Sequence, residues 1–164
     1  MNFHGTGKDC VMISIRPLQP GDIEAVVQIA QALPEWFDAD ARGRAIPLDV
    51  QIQDGFVAEA DGRILGFITL YVAEGRVQIG WMGVLHEHQG QGIGGKLVAA
   101  AEDYGRERGL VELATYTLGD SVDYEPYVAT RAFYFSQGFE IFQRSQTDNP
   151  GCPEEIKIKK TISE

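Results

Sequence analysis

A glycine-rich turn is the segment of this sequence that is best suited to bind a ligand. The stretch HEHQGQGIGGKL, residues 86–97, follows an apolar run and leads into a segment with helical periodicity. Backbone N–H groups at the start of a helix favour an anion. Each glycine weakens a helix by about 1 kcal/mol, so a tight connection alone does not explain so many of them. The turn therefore predicts a phosphate-binding site, with glycines at Gly90, Gly92, Gly94 and Gly95.

The turn also matches two nucleotide-binding patterns, GxGxxG and GxxxxGK, when both are read from Gly90. A P-loop needs Ser or Thr after its lysine to bind magnesium, and Leu97 stands there. A dinucleotide-binding fold is favoured by Glu112, which lies about twenty residues after the turn, where a ribose-binding acid would be. That fold, however, opens with its glycine motif and needs several further βα units, whereas here too little chain follows.

The elements before the turn predict a strand, a helix and a β-meander. A short strand leads to a helix over residues 23–33, with Asp22 as its cap, and residues 35–54 form an irregular segment with a short helix and a loop. Residues 55–85 contain three β-rich runs. Asp61-Gly62 and Glu74-Gly75 separate these runs, and both pairs suit tight hairpin turns.

The elements after the turn complete a mixed sheet. We predict helices over residues 92–108 and 127–137, strands over 110–118, 139–145 and 154–162, and a polar loop over 119–126. The order places the chain in the α/β class, with helices on the faces of the sheet. We expect one domain over residues 13–164, preceded by a flexible tail over residues 1–12.

Composition limits the partners of the chain. The 164 residues include 24 acids and 14 bases, for a formal net charge of −10, and a basic run occurs only at Lys157 to Lys160. Binding to a nucleic acid or to an anionic membrane surface is not expected. Cys10 and Cys152 match no metal or redox spacing, and residues 1–12 lack the apolar run of a signal peptide. The expected location is the cytoplasm.

Two motifs together resemble the GNAT superfamily of acetyl-CoA-dependent N-acetyltransferases. VLHEHQGQGIGGKL is similar to the family pattern V-x-P-x-x-Q/R-G-x-G-I-G, with His86 in place of the proline. TRAFYFSQGFE resembles a second family segment, A-x-x-F-Y-x-x-x-G-F, which follows at the right separation. The order of elements from residue 13 onward agrees as well. The resemblance implies a largely antiparallel sheet of about seven strands, splayed at the cofactor site and flanked by about four helices.

The resemblance also assigns a cofactor site for acetyl-CoA. Backbone groups of Met82 and Val84 would pair with the pantetheine arm, and N–H groups of the glycine turn would hold the pyrophosphate. Gly83 is consistent with a β-bulge that opens the sheet for the thioester. The implied cofactor-binding residues are Met82, Val84, Gln89, Gly90, Gln91, Gly92, Ile93, Gly94 and Gly95.

The family chemistry implies direct attack of an amine on the acetyl thioester. Tyr134 matches the tyrosine that protonates the departing thiolate, and the N–H of Val84 would stabilise the oxyanion. The general base stays open, because Gln78 stands in the region where some relatives have a glutamate. The alternatives are a water chain or one of three acids in the preceding loop, namely Asp120, Asp123 and Glu125.

The acceptor is expected to be an amine of a small molecule or a peptide. We expect its pocket to form from segments that contain Trp36, Phe37, Asp38, Asp40, Asp49, Tyr116, Asp123, Tyr124 and Glu125. Tyr127 replaces a common asparagine, so its contact with CoA stays open. No metal is expected, since His86 and His88 flank a solvent-facing turn without a third ligand. A homodimer is one open alternative, and a non-catalytic acetyl-CoA sensor or partner-binding module is another.

Overall fold

The computed structural model describes residues 12–121, 123–150 and 152–163. The predicted tail, apart from Met12, and Cys10 lie outside the described residues. The strands are β1 Ser14–Pro17, β2 Asp54–Ala60, β3 Arg63–Ala73, β4 Arg76–Val84, β5 Glu112–Leu118, β6 Glu140–Gln146 and β7 Glu154–Thr161. The helices are α1 Ile23–Gln31, α2 Ile46–Ile52, α3 Ile93–Glu107 and α4 Glu125–Ser136. The predicted mixed α/β fold with seven strands and four helices is confirmed.

The seven strands form one sheet in the order β1-β2-β3-β4-β5-β7-β6. All neighbours are antiparallel except β4 and β5, which run parallel. Both predicted hairpin turns have the backbone of a type I′ turn, since φ is positive at Asp61, Gly62, Glu74 and Gly75. β4 and β5 pair in register at Val77 with Leu113 and at Gln78 with Ala114, and they then separate. The predicted splay of the sheet is therefore present.

Two apolar clusters cover the two faces of the sheet. One cluster packs α1 and α2 against Phe67, and it includes Val26, Leu33, Ile46 and Val50. The other packs α3 and the following elements against the opposite face, and it includes Leu97, Ala101, Tyr134 and Phe139. The apolar residues of α1 and α3 therefore face the sheet, as their 3.6-residue periodicity predicts.

One local prediction about the first half of the chain was wrong, and another can be made more precise. Asp22 does not cap α1, because its carboxylate accepts hydrogen bonds from Arg16 at 2.8 Å and from the Gln19 N–H at 2.8 Å. The segment over residues 35–54 contains the predicted short helix, which begins with a π-helical turn at Ala41–Ala45 and continues into α2. Pro47 follows the π-helical turn closely, and because proline has no N–H it donates no helical hydrogen bond there.

Candidate active site

One cavity of about 850 Å³ contains most of the residues that the sequence assigned to the site. It extends from the glycine turn along the gap between β4 and β5 to the inner face of α4. Of the predicted residues, those that line it are Met82, Val84, Gln89, Gly90, Gly92, Ile93, Gly94, Gly95 and Tyr134. Gln91 is not in this lining, and its Oε1 lies 3.4 Å from Nδ1 of His88, which does line the cavity.

The four glycines of the turn have two different structural roles. Gly90 and Gly92 adopt φ values of 78° and 82°, in the left-handed region that other residues disfavour. A Cβ on either of them would meet no atom within 4 Å. Gly94 and Gly95 are helical instead, and a Cβ on Gly94 would approach Cζ of Phe133 to 3.0 Å. The first pair shapes the turn, whereas Gly94 allows α4 to approach α3.

The backbone at the start of α3 is arranged to hold an anion. Gly92 precedes the helix, and its carbonyl accepts the N–H of Lys96 at 3.1 Å as the first helical hydrogen bond. The N–H groups of Ile93, Gly94 and Gly95 come before that bond, so they have no intrahelical acceptor. They lie beside the cavity, at the positive end of the helix dipole. This geometry suits a pyrophosphate.

The β-bulge lies three residues earlier in β4 than the sequence indicated. Gly83 pairs in register with Phe67 of β3, so it is not the bulge. The register shifts instead around Thr69, with Gly80 and Trp81 of β4 on the bulged side, and the Trp81 N–H donates to Oγ1 of Thr69 at 2.8 Å. A Cβ on Gly83 would meet Phe67 at 3.0 Å, which makes it a packing glycine.

The glycine turn is tied to the end of β4 by a side chain. Nε2 of Gln89 donates to the carbonyl of Val84 at 2.9 Å. Beyond Gln78, β4 has no register partner on its β5 side, and this open edge faces the cavity. Gln89 therefore positions the turn relative to the strand edge that an extended ligand could follow.

Tyr134 lies at the inner wall of the cavity. Its side chain is buried between two aromatic rings, with centroid distances of 5.3 Å to Phe133 and 5.1 Å to Phe139. Burial, and secondarily the nearby Tyr127, raise the pKa of the phenol well above its ordinary value, although a hydrogen bond with Thr115 opposes the shift. The hydroxyl is therefore protonated throughout the neutral range and can donate a hydrogen bond to a group in the cavity.

Hydrogen bonds tie the loop between α1 and α2 to the first turn of α4. The hydroxyl of Tyr124 donates to the carbonyl of Glu35 at 2.8 Å, and that of Tyr127 donates to the carbonyl of Trp36 at 2.7 Å. Nε1 of Trp36 returns a bond to the carbonyl of Pro126 at 3.1 Å. We call these five residues the latch. Trp36 and Tyr127 both line the cavity, so the latch forms part of its wall.

His86 adds a further contact to the latch. Its Nε2 lies 3.2 Å from Oε2 of Glu35, and its ring lies 5.2 Å from that of Trp36. The sequence placed His86 on the surface, and it is indeed exposed.

Tyr127 is partly buried, and burial is the largest of the causes that raise its pKa to about 12.

The loop acids that the sequence offered as bases do not line the cavity. Asp120 forms an ion pair with Arg144 at 2.8 Å and points away, and Asp123 and Glu125 are exposed. Gln78 is buried, and its amide donates to the carbonyl of Ala73. Of the predicted acceptor residues, four line the cavity: Trp36, Phe37, Asp49 and Tyr116. The other five do not, namely Asp38, Asp40, Asp123, Tyr124 and Glu125.

Several cavity residues were not predicted from the sequence: Gln53, Tyr71, Trp81, Thr115 and Glu155. Trp81 follows the bulge, which interrupts the alternation of faces along β4, so its orientation could not be read from a period of two. Gln53 follows Asp49 by four residues at the end of α2. This spacing is the one sequence signal that could have predicted that the two side chains lie close together.

The described residues contain no group of three His, Cys, Asp or Glu side chains that could hold a metal ion. In the same part of the chain, no helix has the length and the apolar character needed to cross a membrane.

Comparisons with known proteins agree with this geometry. A curated relative, S-alkylcysteine N-acetyltransferase of Bacillus subtilis (strain 168), is 25% identical over 121 residues. The match covers 70% of this chain and 66% of that relative, just under two thirds of its length. A GNAT-family structure from Desulfovibrio desulfuricans has a TM-score of 0.80 at 19% identity, with 92% of this chain and 99% of that one covered.

A structure with a ligand is also similar in fold. The GNAT-family acetyltransferase from Elizabethkingia anophelis, solved with acetyl-CoA bound, has a TM-score of 0.69 at 19% identity and covers 92% of this chain and 98% of its own. The family model described as "Acetyltransferase (GNAT) domain" matches residues 52–141. Since this match includes more than half of the chain, the protein belongs to the GNAT acetyltransferase domain family.

Proposed function

We propose that this protein transfers the acetyl group of acetyl-CoA to an amine. The observation that carries the proposal is the single cavity that joins the glycine turn, the open edge of β4 and the hydroxyl-bearing side chain of Tyr134. An anion site, a strand edge and a proton donor in this order suit the pyrophosphate, the pantetheine arm and the thioester of acetyl-CoA. The acetyl-CoA in the Elizabethkingia anophelis structure supports this choice of co-substrate.

The chain's own groups would bind the co-substrate through the backbone. N–H groups from Gly92 to Gly95 would hold the pyrophosphate, and the open edge of Met82 and Val84 would hydrogen-bond to the pantetheine amides. The lining has no Lys or Arg side chain among the described residues. Binding would therefore depend on the shape of the turn and on the helix dipole.

The reaction we propose occurs in a ternary complex. The neutral amine attacks the thioester carbonyl carbon, the C–S bond breaks, and the proton of the Tyr134 hydroxyl stabilises the departing thiolate. The N–H of Val84 would donate to the oxyanion. Because the loop acids are outside the cavity, we assign removal of the proton from the amine to water. Tyr134 gives its proton to the thiolate and regains one from the solvent that took the proton of the amine, so the net products are the acetylated amine and the CoA thiol.

A second candidate is a non-catalytic protein that binds acetyl-CoA and a partner. The absence of Asp120, Asp123 and Glu125 from the cavity lining favours it, because no loop acid is placed to take a proton. A screen of amines for release of CoA separates the two, since a binding protein would release none with any amine. The cytoplasmic location and a homodimer stay predictions from the sequence.

Calorimetric titration tests the co-substrate directly. We expect acetyl-CoA to bind with a one-to-one stoichiometry, and NAD and ATP to bind much more weakly, because the cavity continues from the turn along a strand edge that suits pantetheine. Preferential binding of NAD or ATP would contradict the proposal.

We predict that Tyr127→Phe weakens the fold slightly and leaves the affinity for acetyl-CoA nearly unchanged. The hydroxyl is already bonded to the carbonyl of Trp36 at 2.7 Å, so it is not free for the cofactor. Loss of one such bond costs about 1 kcal/mol, which corresponds to about 2–4 °C in Tm for a domain of this size. Thermal unfolding and calorimetry measure the two effects.

Tyr124→Phe is the matched control for this prediction. It removes the same kind of bond to the neighbouring carbonyl of Glu35, but Tyr124 does not line the cavity. The two variants should behave alike. A loss of acetyl-CoA affinity in Tyr127→Phe alone would mean that its hydroxyl leaves the latch and contacts the co-substrate.

A further inference from the structure

The cavity has a second end, away from the glycine turn, where its charge is negative. Two carboxylates line the cavity, Asp49 from α2 and Glu155 from β7, and Asp49 lies at this end. Neither forms an ion pair with any described residue, and the described lining contains no Lys or Arg side chain. His88 lines the cavity too, but it lies next to the glycine turn. An unpaired carboxylate in a partly enclosed site favours a cation from outside the chain.

Asp49 is held in place by a neutral donor. Nε1 of Trp81 donates to its Oδ2 at 2.8 Å, and Trp81 is itself fixed by the bulge of β4 and by an edge-to-face contact with Phe37, at 5.8 Å between ring centroids. Arg44 lies on the same helical segment, but both of its hydrogen bonds go to Asp40, at 2.7 Å each. The carboxylate of Asp49 therefore accepts a hydrogen bond from a neutral donor and forms no ion pair with a described residue.

The surroundings of Asp49 add further acceptors and aromatic faces. Oε1 of Gln53, four residues after Asp49, is buried without a hydrogen-bond partner in the described part of the chain. The phenol of Tyr71 has a raised pKa, mainly through burial, then through Tyr116 and the charge of Asp49. Both tyrosines line the cavity. A carboxylate, an orphaned amide oxygen and π faces are groups that bind an alkylammonium ion.

We infer that the acceptor is an alkylamine that binds at Asp49 as the ammonium ion, loses one proton to water before it attacks, and carries no carboxylate beside its amine. The inference rests on the proposed function. An amino acid would bring an α-carboxylate into a cavity whose described lining has two carboxylates and no Lys or Arg side chain. Lys157, opposite Tyr116, lines the neighbouring pocket instead. This distinguishes the chain from the Bacillus subtilis relative, whose name specifies an S-alkylcysteine.

A pair of amines that differ only in the carboxylate tests this inference. We choose 2-(methylthio)ethylamine and S-methylcysteine, and we measure the binding of each to the CoA-saturated protein by calorimetry and by tryptophan fluorescence. The amine should bind at least about 10-fold more tightly, as expected for loss of one charge-assisted interaction. Binding is measured without turnover, so a failure of acetyl transfer would not be confused with a failure of this preference.

Asp49→Asn should weaken the binding of 2-(methylthio)ethylamine by about 10- to 100-fold and remove most of the preference over S-methylcysteine. The new side chain keeps an oxygen for the indole of Trp81, so the fold should be retained, which thermal unfolding checks. Asp40→Asn is the control, because Asp40 is exposed and outside the cavity.

Three results would overturn the inference. They are equal or tighter binding of S-methylcysteine, binding of neither probe to the native protein, and an Asp49→Asn variant that binds the amine as Asp40→Asn does. Loss of acetyl-CoA binding or of transfer to every amine would instead reject the proposed function.

Discussion

Replacing Tyr134 by phenylalanine is expected to lower kcat by about 100- to 10,000-fold, the range typical of general acid–base catalysis. The affinity for acetyl-CoA should be nearly unchanged, because the hydroxyl is needed only when the thiolate departs. Phenylalanine keeps the ring between Phe133 and Phe139, so the packing of the cavity wall is retained. Steady-state kinetics with an amine that the native protein acetylates and calorimetry with acetyl-CoA measure the two quantities separately.

The raised pKa of Tyr134 adds a pH dependence to this prediction. Burial is its main cause and favours the neutral phenol, so the hydroxyl stays protonated above pH 10, the pKa of an ordinary tyrosine. The pKa of Tyr134 is higher in the folded protein than in the unfolded chain. The stability that comes from this difference is therefore complete below about pH 10 and is lost as the pH rises beyond it. Loss of kcat in the native protein between pH 8 and 9 should therefore not come from this residue.

Tyr104→Phe is the control for Tyr134→Phe. Tyr104 is also buried, but it lies on α3 outside the cavity and donates to Oδ2 of Asp54 at 2.7 Å. Its replacement should cost stability of about 1 kcal/mol with little change in kcat. Equal kcat in Tyr134→Phe and in the native protein would remove Tyr134 from the mechanism.

Replacing Gly92 by valine is expected to weaken acetyl-CoA binding at least about 100-fold while the protein stays folded, as loss of two charge-assisted hydrogen bonds predicts. Gly92 has a φ of 82° immediately before α3, and a β-branched residue cannot hold that conformation without strain. The turn would relax, and the N–H groups at the start of the helix would no longer converge on one anion. Calorimetry measures the loss of affinity.

Gly109→Val provides the matched control. Gly109 follows the other end of α3 with a φ of 71°, and a Cβ there, as at Gly92, meets no atom within 4 Å. Both variants therefore impose the same type of backbone strain, about 1–2 kcal/mol or more. Only Gly92→Val should lose acetyl-CoA. Retained affinity in Gly92→Val would contradict the assignment of the turn as the pyrophosphate site.

Local sequence signals predicted most of the elements and the cofactor end of the cavity. The Asp61-Gly62 and Glu74-Gly75 pairs predicted the meander, because positive φ at successive positions favours these residues. Tyr134 and the residues of the glycine turn were implied by the resemblance of two motifs to the family, and the cavity brings all of them together except Gln91. Such signals relate residues that are close in the chain, because local backbone conformation and periodicity restrict which residue types occur there.

Only the tertiary structure brings together the residues at the end of the cavity away from the glycine turn. Asp49, Tyr71, Trp81, Tyr116 and Glu155 come from one helix and four strands, and no spacing in the chain relates them. The sequence indicated a bulge at Gly83 and left the base open between loop acids and water, because neither the register of β3 on β4 nor the facing of separate elements is encoded locally. The sequence by itself thus determined the family, the fold and the glycine turn at one end of the cavity. Only packing between distant elements decided which carboxylates line the cavity, because a cavity is the space that those elements leave between them.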